Sequence, residues 1–151
     1  MDLADLVRGV NHHIEQALEA ELKPKGMSLH HYRVLEALAA RNGQPMGDLA
    51  ARLFIDSPTL TRIIDRMVAS AEVYRGPDPH DRRKVLVFLS RKGAAQFEGF
   101  AATGASVEQQ MLDQLGTSKA ATLARLLSEL IDLPFSRRAH SARENGAVSH
   151  K

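Results

Sequence analysis

The chain has 151 residues, 44% of them hydrophobic and 25% charged, the balance of a soluble globular protein of one or two small domains. Cysteine is absent, which excludes disulfides, thiolate metal sites and cysteine-based peroxide sensing. The formal charge is only +2, so affinity for phosphate must come from local clusters of basic residues.

The first predicted element is a helix over residues 2–22, with Leu3, Leu6, Val7, Val10, Ile14, Ala17, Leu18 and Leu22 in one apolar stripe. An isolated helix is marginal in water, so that stripe needs a partner. Lys23-Pro24-Lys25-Gly26 breaks it. A second helix opens at Met27 or Ser28 and runs to about Arg41, turning Leu29, Tyr32, Val34, Leu35 and Leu38 inward. Asn42-Gly43-Gln44-Pro45 reads as a turn. A short helix over residues 48–54 and a tight turn at Ile55 and Asp56 lead to the next helix. There Ser57 is the expected N-cap, and Pro58 falls at the first helical position, where its missing N–H costs nothing. Leu60, Ile63, Ile64 and Met67 form the buried stripe of that helix, leaving Thr59, Thr61, Arg62, Asp65 and Arg66 as its polar surface.

Two strand-like segments follow, residues 72–75 and 84–89, the second alternating around Val85, Val87 and Leu89. Between them Gly76 and two prolines fix a loop whose tip carries Arg82, Arg83 and Lys84 beside Asp78 and Asp81. An acid two residues before an arginine can hold the guanidinium through a paired hydrogen bond. Ser90 then reads as an N-cap for a long helix over residues 91–115, with Phe97, Phe100, Val107, Met111 and Leu115 at helical spacing. Gly99 and Gly104 weaken it and are candidate positions for a bend. Gly116 stops it, and Thr117 is the expected cap of a last helix carrying Leu123, Leu126, Leu127, Leu130 and Ile131. Residues 135–151 hold almost no large apolar side chain and are expected to be a disordered tail, whose Arg137, Arg138 and Arg143 could touch DNA non-specifically.

Helix, turn, helix and basic hairpin together make a winged helix-turn-helix, a device for reading duplex DNA. Hydroxyls and an arginine near a helix N-terminus suit a major groove, where threonine meets a phosphate or thymine methyl and arginine binds guanine. An arginine on a thin hairpin suits the narrow minor groove. The expected DNA-contacting set is Ser57, Thr59, Thr61, Arg62, Arg66, Asp81, Arg82, Arg83 and Lys84. The fold class is mainly α with a small β-hairpin wing. Residues 27–90 form the DNA-binding domain, and residues 1–24 with 91–134 form a helical dimerisation region built from both chain ends. Those end helices are too far apart in sequence to bury themselves well in a monomer, so a second copy is expected to cover them.

The segment DLAARL, then SPTLTRIIDRM, then DPHDRRKVLVFLSRKG resembles the core of the multiple-antibiotic-resistance-regulator (MarR) family of bacterial transcription factors. The resemblance extends from the first helix to about Pro134. It implies an obligate homodimer on a pseudo-palindromic operator, repressing nearby genes until a small, often aromatic acidic, ligand binds. By match to the family's wing, Asp81 and Arg83 would be the orienting acid and the minor-groove arginine. One branch of the family senses oxidants through a cysteine, which this chain lacks. The chain also departs from the family at the helix before the turn, where Pro45-Met46-Gly47 stands in place of a serine or threonine cap.

In that family the ligand sits where the dimer helices meet the winged domain. Here Asn11, His12 and His13 on the first helix, with His30, His31 and Arg33 on the second, are the candidate ligand-binding residues. Imidazole and guanidinium can bind a carboxylate or phenolate, so a small aromatic or heteroaromatic acid, such as a hydroxybenzoate or hydroxylated pyridine carboxylate, is the expected effector. No other cofactor is expected. Neighbouring histidines point about 100° apart on a helix, which argues against a metal site within either pair. A metal held between helices, making the protein metal-responsive, stays open, as does a winged helix that binds protein rather than DNA. No phosphate loop, nucleophile elbow or paired-carboxylate signature suggests an enzyme. No apolar run could span a bilayer and no signal-peptide pattern is present, so a cytoplasmic protein with no membrane partner is expected.

Overall fold

The computed structural model describes residues 1–134; the tail expected to be disordered lies outside them, with its three arginines. Six α-helices and three short strands make up the described chain: α1 (Leu3–Leu22), α2 (Leu29–Ala40), β1 (Gln44–Pro45), α3 (Met46–Leu53), α4 (Ser57–Ala69), β2 (Val73–Pro77), β3 (Val85–Leu89), α5 (Arg91–Leu115) and α6 (Thr117–Asp132). The fold is mainly helical with a small antiparallel sheet, as the sequence leads one to expect. No described helix is long and apolar enough to cross a membrane. The chain divides into two compact units, Met1–Met111 and the remainder from Leu112, with the boundary in the last turn of α5.

The core of the first unit is the winged module together with one end of α1 and, from α5, Val107 with Phe97 and Phe100 packed against it. Leu22, Val34, Leu35, Leu38, Leu49, Leu60, Ile64, Met67, Val73 and Val87 are fully buried. Leu18 and Leu22 join that core from α1, whereas Leu3, Leu6, Val7 and Val10 remain exposed. The apolar stripe of α1 therefore serves two surfaces: its C-terminal half packs on the winged module and its N-terminal half faces outward. In the second unit Leu123, Leu126, Leu127 and Ile131 of α6 are likewise exposed.

Several element ends differ from those the sequence suggests. Asp56, not Ser57, caps α4: its carboxylate accepts from the Thr59 N–H at 3.1 Å and from the Thr59 hydroxyl at 2.7 Å. Ser57 is already helical and Pro58 is the second residue, where its missing N–H is still one of the helix's orphan donors. Helix α3 starts at Met46, two residues earlier than expected, behind a Pro45 that gives no side-chain cap. Gly116, at φ 82°, precedes α6 without a side-chain cap bond, so Thr117 opens the helix rather than capping it. Ser90 caps α5 as expected, accepting from the Gly93 N–H at 3.0 Å.

The expected turn at residues 42–45 contains β1, which pairs with β3 through Gln44 opposite Val87 and Pro45 opposite Leu86. The sheet order is β1-β3-β2, so β1 is an edge strand, where proline's missing donor is tolerated. The buried Gln44 amide donates to the carbonyls of Ala37 at 2.9 Å and Arg41 at 2.7 Å, closing the end of α2. The sheet's other pair is β2 with β3, from Val73 opposite Leu89 to Pro77 opposite Val85.

Helix α5 runs unbroken through Gly99 and Gly104. Gly104 has a packing reason: a Cβ there would lie 1.9 Å from the Tyr32 hydroxyl. Tyr32 is buried, its ring 6.2 Å from that of Phe97 and its hydroxyl donating to Glu36 Oε2 at 3.1 Å. Burial, with the neighbouring Glu36 carboxylate, pushes its phenol up to about 12.

Candidate nucleic-acid interface

The N-terminal turn of α4 is a tied polar network. Asp56 holds both the amide and the hydroxyl of Thr59, and these bonds draw its carboxyl below the usual aspartate range, with Arg62 adding a smaller pull. Arg62 Nη2 donates to Thr59 Oγ1 at 3.4 Å, and the Thr61 hydroxyl donates to the Ser57 carbonyl at 2.9 Å. Ser57, Thr61, Arg62 and Arg66 are exposed and Thr59 is half-buried. The N-terminal half of the helix thus offers hydroxyls and the Arg62 guanidinium to solvent, Arg62 already lightly steered by its own helix, while Arg66 stands in the last turn.

The wing is anchored to that helix at its base. The Arg75 guanidinium lies 2.6 Å from Asp65 of α4. Tyr74 and Phe88 stack across the two wing strands with centroids 5.2 Å apart. Gly43, at φ +71°, leaves room for the Phe88 ring, since a Cβ there would come within 2.7 Å of it. At the tip, Asp78 N donates to Lys84 O at 3.0 Å and Lys84 N to Asp81 O at 3.0 Å. Arg82, Arg83 and Lys84 are all exposed.

Asp81 does not use its carboxylate as the sequence suggests. Its Oδ1 accepts from the backbone N–H of Arg83 at 3.1 Å, and Asp78 does the same for His80 at 2.8 Å. Aspartate readily bonds its own backbone two residues on, which shapes the turn rather than gripping a guanidinium. Among the described residues no ion pair joins Asp81 to Arg83. The acid orients the arginine through the main chain, and the guanidinium is left for another anion.

The candidate ligand residues separate into two groups. Asn11, His12, His13 and His30 are exposed, with the His12 and His13 rings 6.2 Å apart. His31 and Arg33 are half-buried and each faces an acid the sequence did not flag. His31 Nδ1 lies 3.4 Å from Glu72 Oε2, and Arg33 Nη2 lies 3.6 Å from Glu15 Oε1 of α1. Glu72 is a buried acid between α4 and β2, and its Oε1 accepts from the Gln96 amide of α5 at 3.4 Å. Among the described residues no group of three or more histidine, aspartate and glutamate side chains could hold a metal ion. Asp56, Glu15 and Glu72 are polar residues that sequence reasoning missed. Asp56 was legible in principle, as an aspartate three residues before Thr59 just ahead of a helix; nothing local marks Glu72 as buried.

Comparison with known proteins fits this geometry. A model described as the MarR family matches residues 25–84. The multiple antibiotic resistance protein MarR of Escherichia coli is 31% identical over 130 residues, covering 85% of this chain and 90% of that protein. The homoprotocatechuate degradative operon repressor of Escherichia coli is 29% identical over 116 residues, 77% of this chain and 78% of that one. A solved structure of a mutant Escherichia coli MarR complexed with operator DNA superposes with a TM-score of 0.75 at 31% identity, covering 85% of this chain and 93% of the other. A tied reading helix, a basic wing braced against it and this degree of likeness lead to one conclusion: the chain belongs to the MarR family of winged-helix, DNA-binding transcriptional regulators.

Proposed function

We propose that the protein is a homodimeric repressor that releases a pseudo-palindromic operator when a small aromatic or heteroaromatic acid binds. The observation that carries the dimer is the pair of uncovered apolar faces, Leu3, Leu6, Val7 and Val10 on α1 and Leu123, Leu126, Leu127 and Ile131 on α6. Both belong to the chain ends, and a soluble protein rarely leaves two such helical stripes bare. A two-fold assembly of winged modules would set two reading helices about one DNA turn apart. The proposed DNA contacts are Ser57, Thr59, Thr61, Arg62 and Arg66 in the major groove, with Arg82, Arg83 and Lys84 at the wing, where Asp81 shapes the turn.

The effector reading rests on Arg33 and His31. Each is half-buried against a carboxylate, Glu15 or Glu72, and each would pair as well with an incoming carboxylate or phenolate. The ligand would take over a side chain now held by the chain's own acid and so loosen α1 from α2, or the wing base from α2. Asn11, His12, His13 and His30 would act at the mouth of such a site. A relative named for homoprotocatechuate degradation, itself a hydroxylated aromatic acid, supports that chemical class. To release the operator, the acid must bind the DNA-free form more tightly, by about 1–3 kcal/mol.

The test is fluorescence anisotropy on the DNA upstream of the protein's own gene, with salt titration and a panel of aromatic acids. Tight binding that one acid reverses, and that Arg83→Ala weakens, is the expected result. Equal affinity of the acid for free and operator-bound protein would refute the switch, because the coupling is reciprocal. A monomer in sedimentation would refute the dimer.

A further inference from the structure

Phe54 is the odd residue of the helix-turn-helix. Its side chain is 81% exposed, more than any other large apolar residue among the described ones after Met1. Its backbone is left-handed, at φ 53° and ψ 40°. Among the described residues only Phe54 and Ala71 combine a side chain with positive φ, and Ala71 carries just a methyl. The position closes α3: the Phe54 N–H bonds the carbonyls of Ala50 and Ala51, and the Ile55 N–H bonds Ala50 at 3.1 Å. Glycine or asparagine is the natural occupant of such a closure, because a Cβ is strained there. The chain therefore carries a strained aromatic residue whose ring gains almost nothing from the fold. Neither cost is repaid in the free protein, and outliers of this kind point to function.

We propose that Phe54 is a DNA-contacting residue, its ring lying against the hydrocarbon of the duplex, a thymine C5-methyl or a deoxyribose, at the edge of the groove that α4 enters. The placement follows from the fold. Phe54 stands two residues before the Asp56 cap, on the turn that leads into the end of α4 bearing Ser57, Thr61 and Arg62. In helix-turn-helix proteins the N-terminal residues of the second helix reach the bases, so the turn before it overlies the flanking backbone. Phenylalanine is one of the side chains that meet thymine methyls. The apolar faces on which the dimer reading rests, on α1 and α6, do not include Phe54. The proposal rests on the DNA-reading role of α4 and the wing.

The experiment uses the full chain and a duplex that the wild type selects from a random-sequence library. Phe54→Gly and Phe54→Asn relieve the backbone and remove the ring. Both should melt at or above the wild-type temperature yet bind the duplex about tenfold more weakly, the scale of one apolar contact returned to water. Phe54→Leu should keep most of the affinity. The slope of log affinity against log salt should stay unchanged in all three, because an apolar contact releases no counterion. Replacing thymines by deoxyuridine separates the sources: a loss seen in the wild type but not in Phe54→Gly identifies the thymine methyl, and no such difference identifies the sugar. Unchanged affinity of Phe54→Gly and Phe54→Asn overturns the proposal, and so does a fall in their melting temperature, which would put the ring in the fold. If the wild type selects no duplex at all, the proposal falls together with the DNA reading; if it selects one and Arg83→Ala weakens it while the Phe54 variants do not, the proposal falls alone.

Discussion

Replacing Gly93 by alanine tests how α5 is seated on the winged module. A Cβ at Gly93 would lie 2.1 Å from the Glu72 carbonyl oxygen and 3.1 Å from both the Glu72 carbonyl carbon and Leu89 Cδ2. Main chain cannot swing aside as a flexible side chain can, so either the first turn of α5 or the segment at Glu72 must retreat by about 1 Å to restore van der Waals distance. The same carbonyl accepts from the Ser90 N–H at 3.1 Å and lies 2.9 Å from the Ser90 hydroxyl, which also caps α5. Overpacking costs about 1–3 kcal/mol, and one weakened buried hydrogen bond adds about 1 kcal/mol. Alanine's better helix propensity returns up to about 1 kcal/mol. The net loss is about 1–3 kcal/mol. Gly99→Ala, on the same helix, meets nothing within 4 Å and should gain about 0.5–1 kcal/mol. Urea denaturation followed by circular dichroism, at one fixed protein concentration because assembly shifts apparent stability, should separate the two variants by about 1.5–4 kcal/mol. Gly93→Ala at or above wild-type stability would refute the close approach of α5 to the start of the wing.

Two further predictions follow from single side chains. Asp56→Ala should lower the melting temperature more than Asp56→Ser, since serine can still cap α4. The folded-state pKa of Asp56 is depressed, so the cap's contribution is present above the ordinary aspartate value and lost as pH falls through the lowered one; thermal melts should show the wild type losing its advantage over Asp56→Ala in acid, and a constant gap would count against the cap. Tyr32 has the opposite sign. Its pKa is raised from 10.0 to about 12, so the folded state keeps its full advantage below 10 and loses it as pH rises towards 12. In a Tyr74→Phe variant, which leaves Tyr32 as the sole tyrosine, phenolate absorbance should appear near pH 12, and a midpoint near 10 would place the ring in solvent.

The DNA-reading elements were legible because their signals are local. The 3.6-residue spacing of Leu60, Ile63, Ile64 and Met67 fixes which face of α4 is buried, and the polar remainder faces outward. The glycine and proline at Gly76 and Pro77 signal the turn of the wing, although both still belong to β2, opposite Leu86 and Val85, and the turn itself starts after them. The same local logic misplaced the start of α4, because aspartate and serine stand side by side and both are good caps. The carboxylate decided it, since Asp56 can satisfy the amide and the hydroxyl of Thr59 together. The strand at Gln44–Pro45 was hidden because a two-residue edge pairing has no periodicity to read, and Pro45 argues for a turn.

By itself, then, the sequence determined the helices, the apolar stripe of each, the winged order of elements and the basic tip of the hairpin, all of which depend on residues within a few positions of one another. The tertiary structure alone decided which acids meet His31 and Arg33, because Glu72 and Glu15 come from elements distant in the chain and are brought in by packing. It decided that Asp81 bonds a backbone N–H rather than a guanidinium, a choice set by the turn's dihedral angles. It gave Gly93 and Gly104 their purpose, since a glycine that permits a close approach cannot be told from one that merely weakens a helix until the neighbour across the gap is known. And it divided the apolar stripe of α1 between a buried and an exposed half, because one amphipathic pattern serves equally for a core within the chain and for a surface that a second copy would cover.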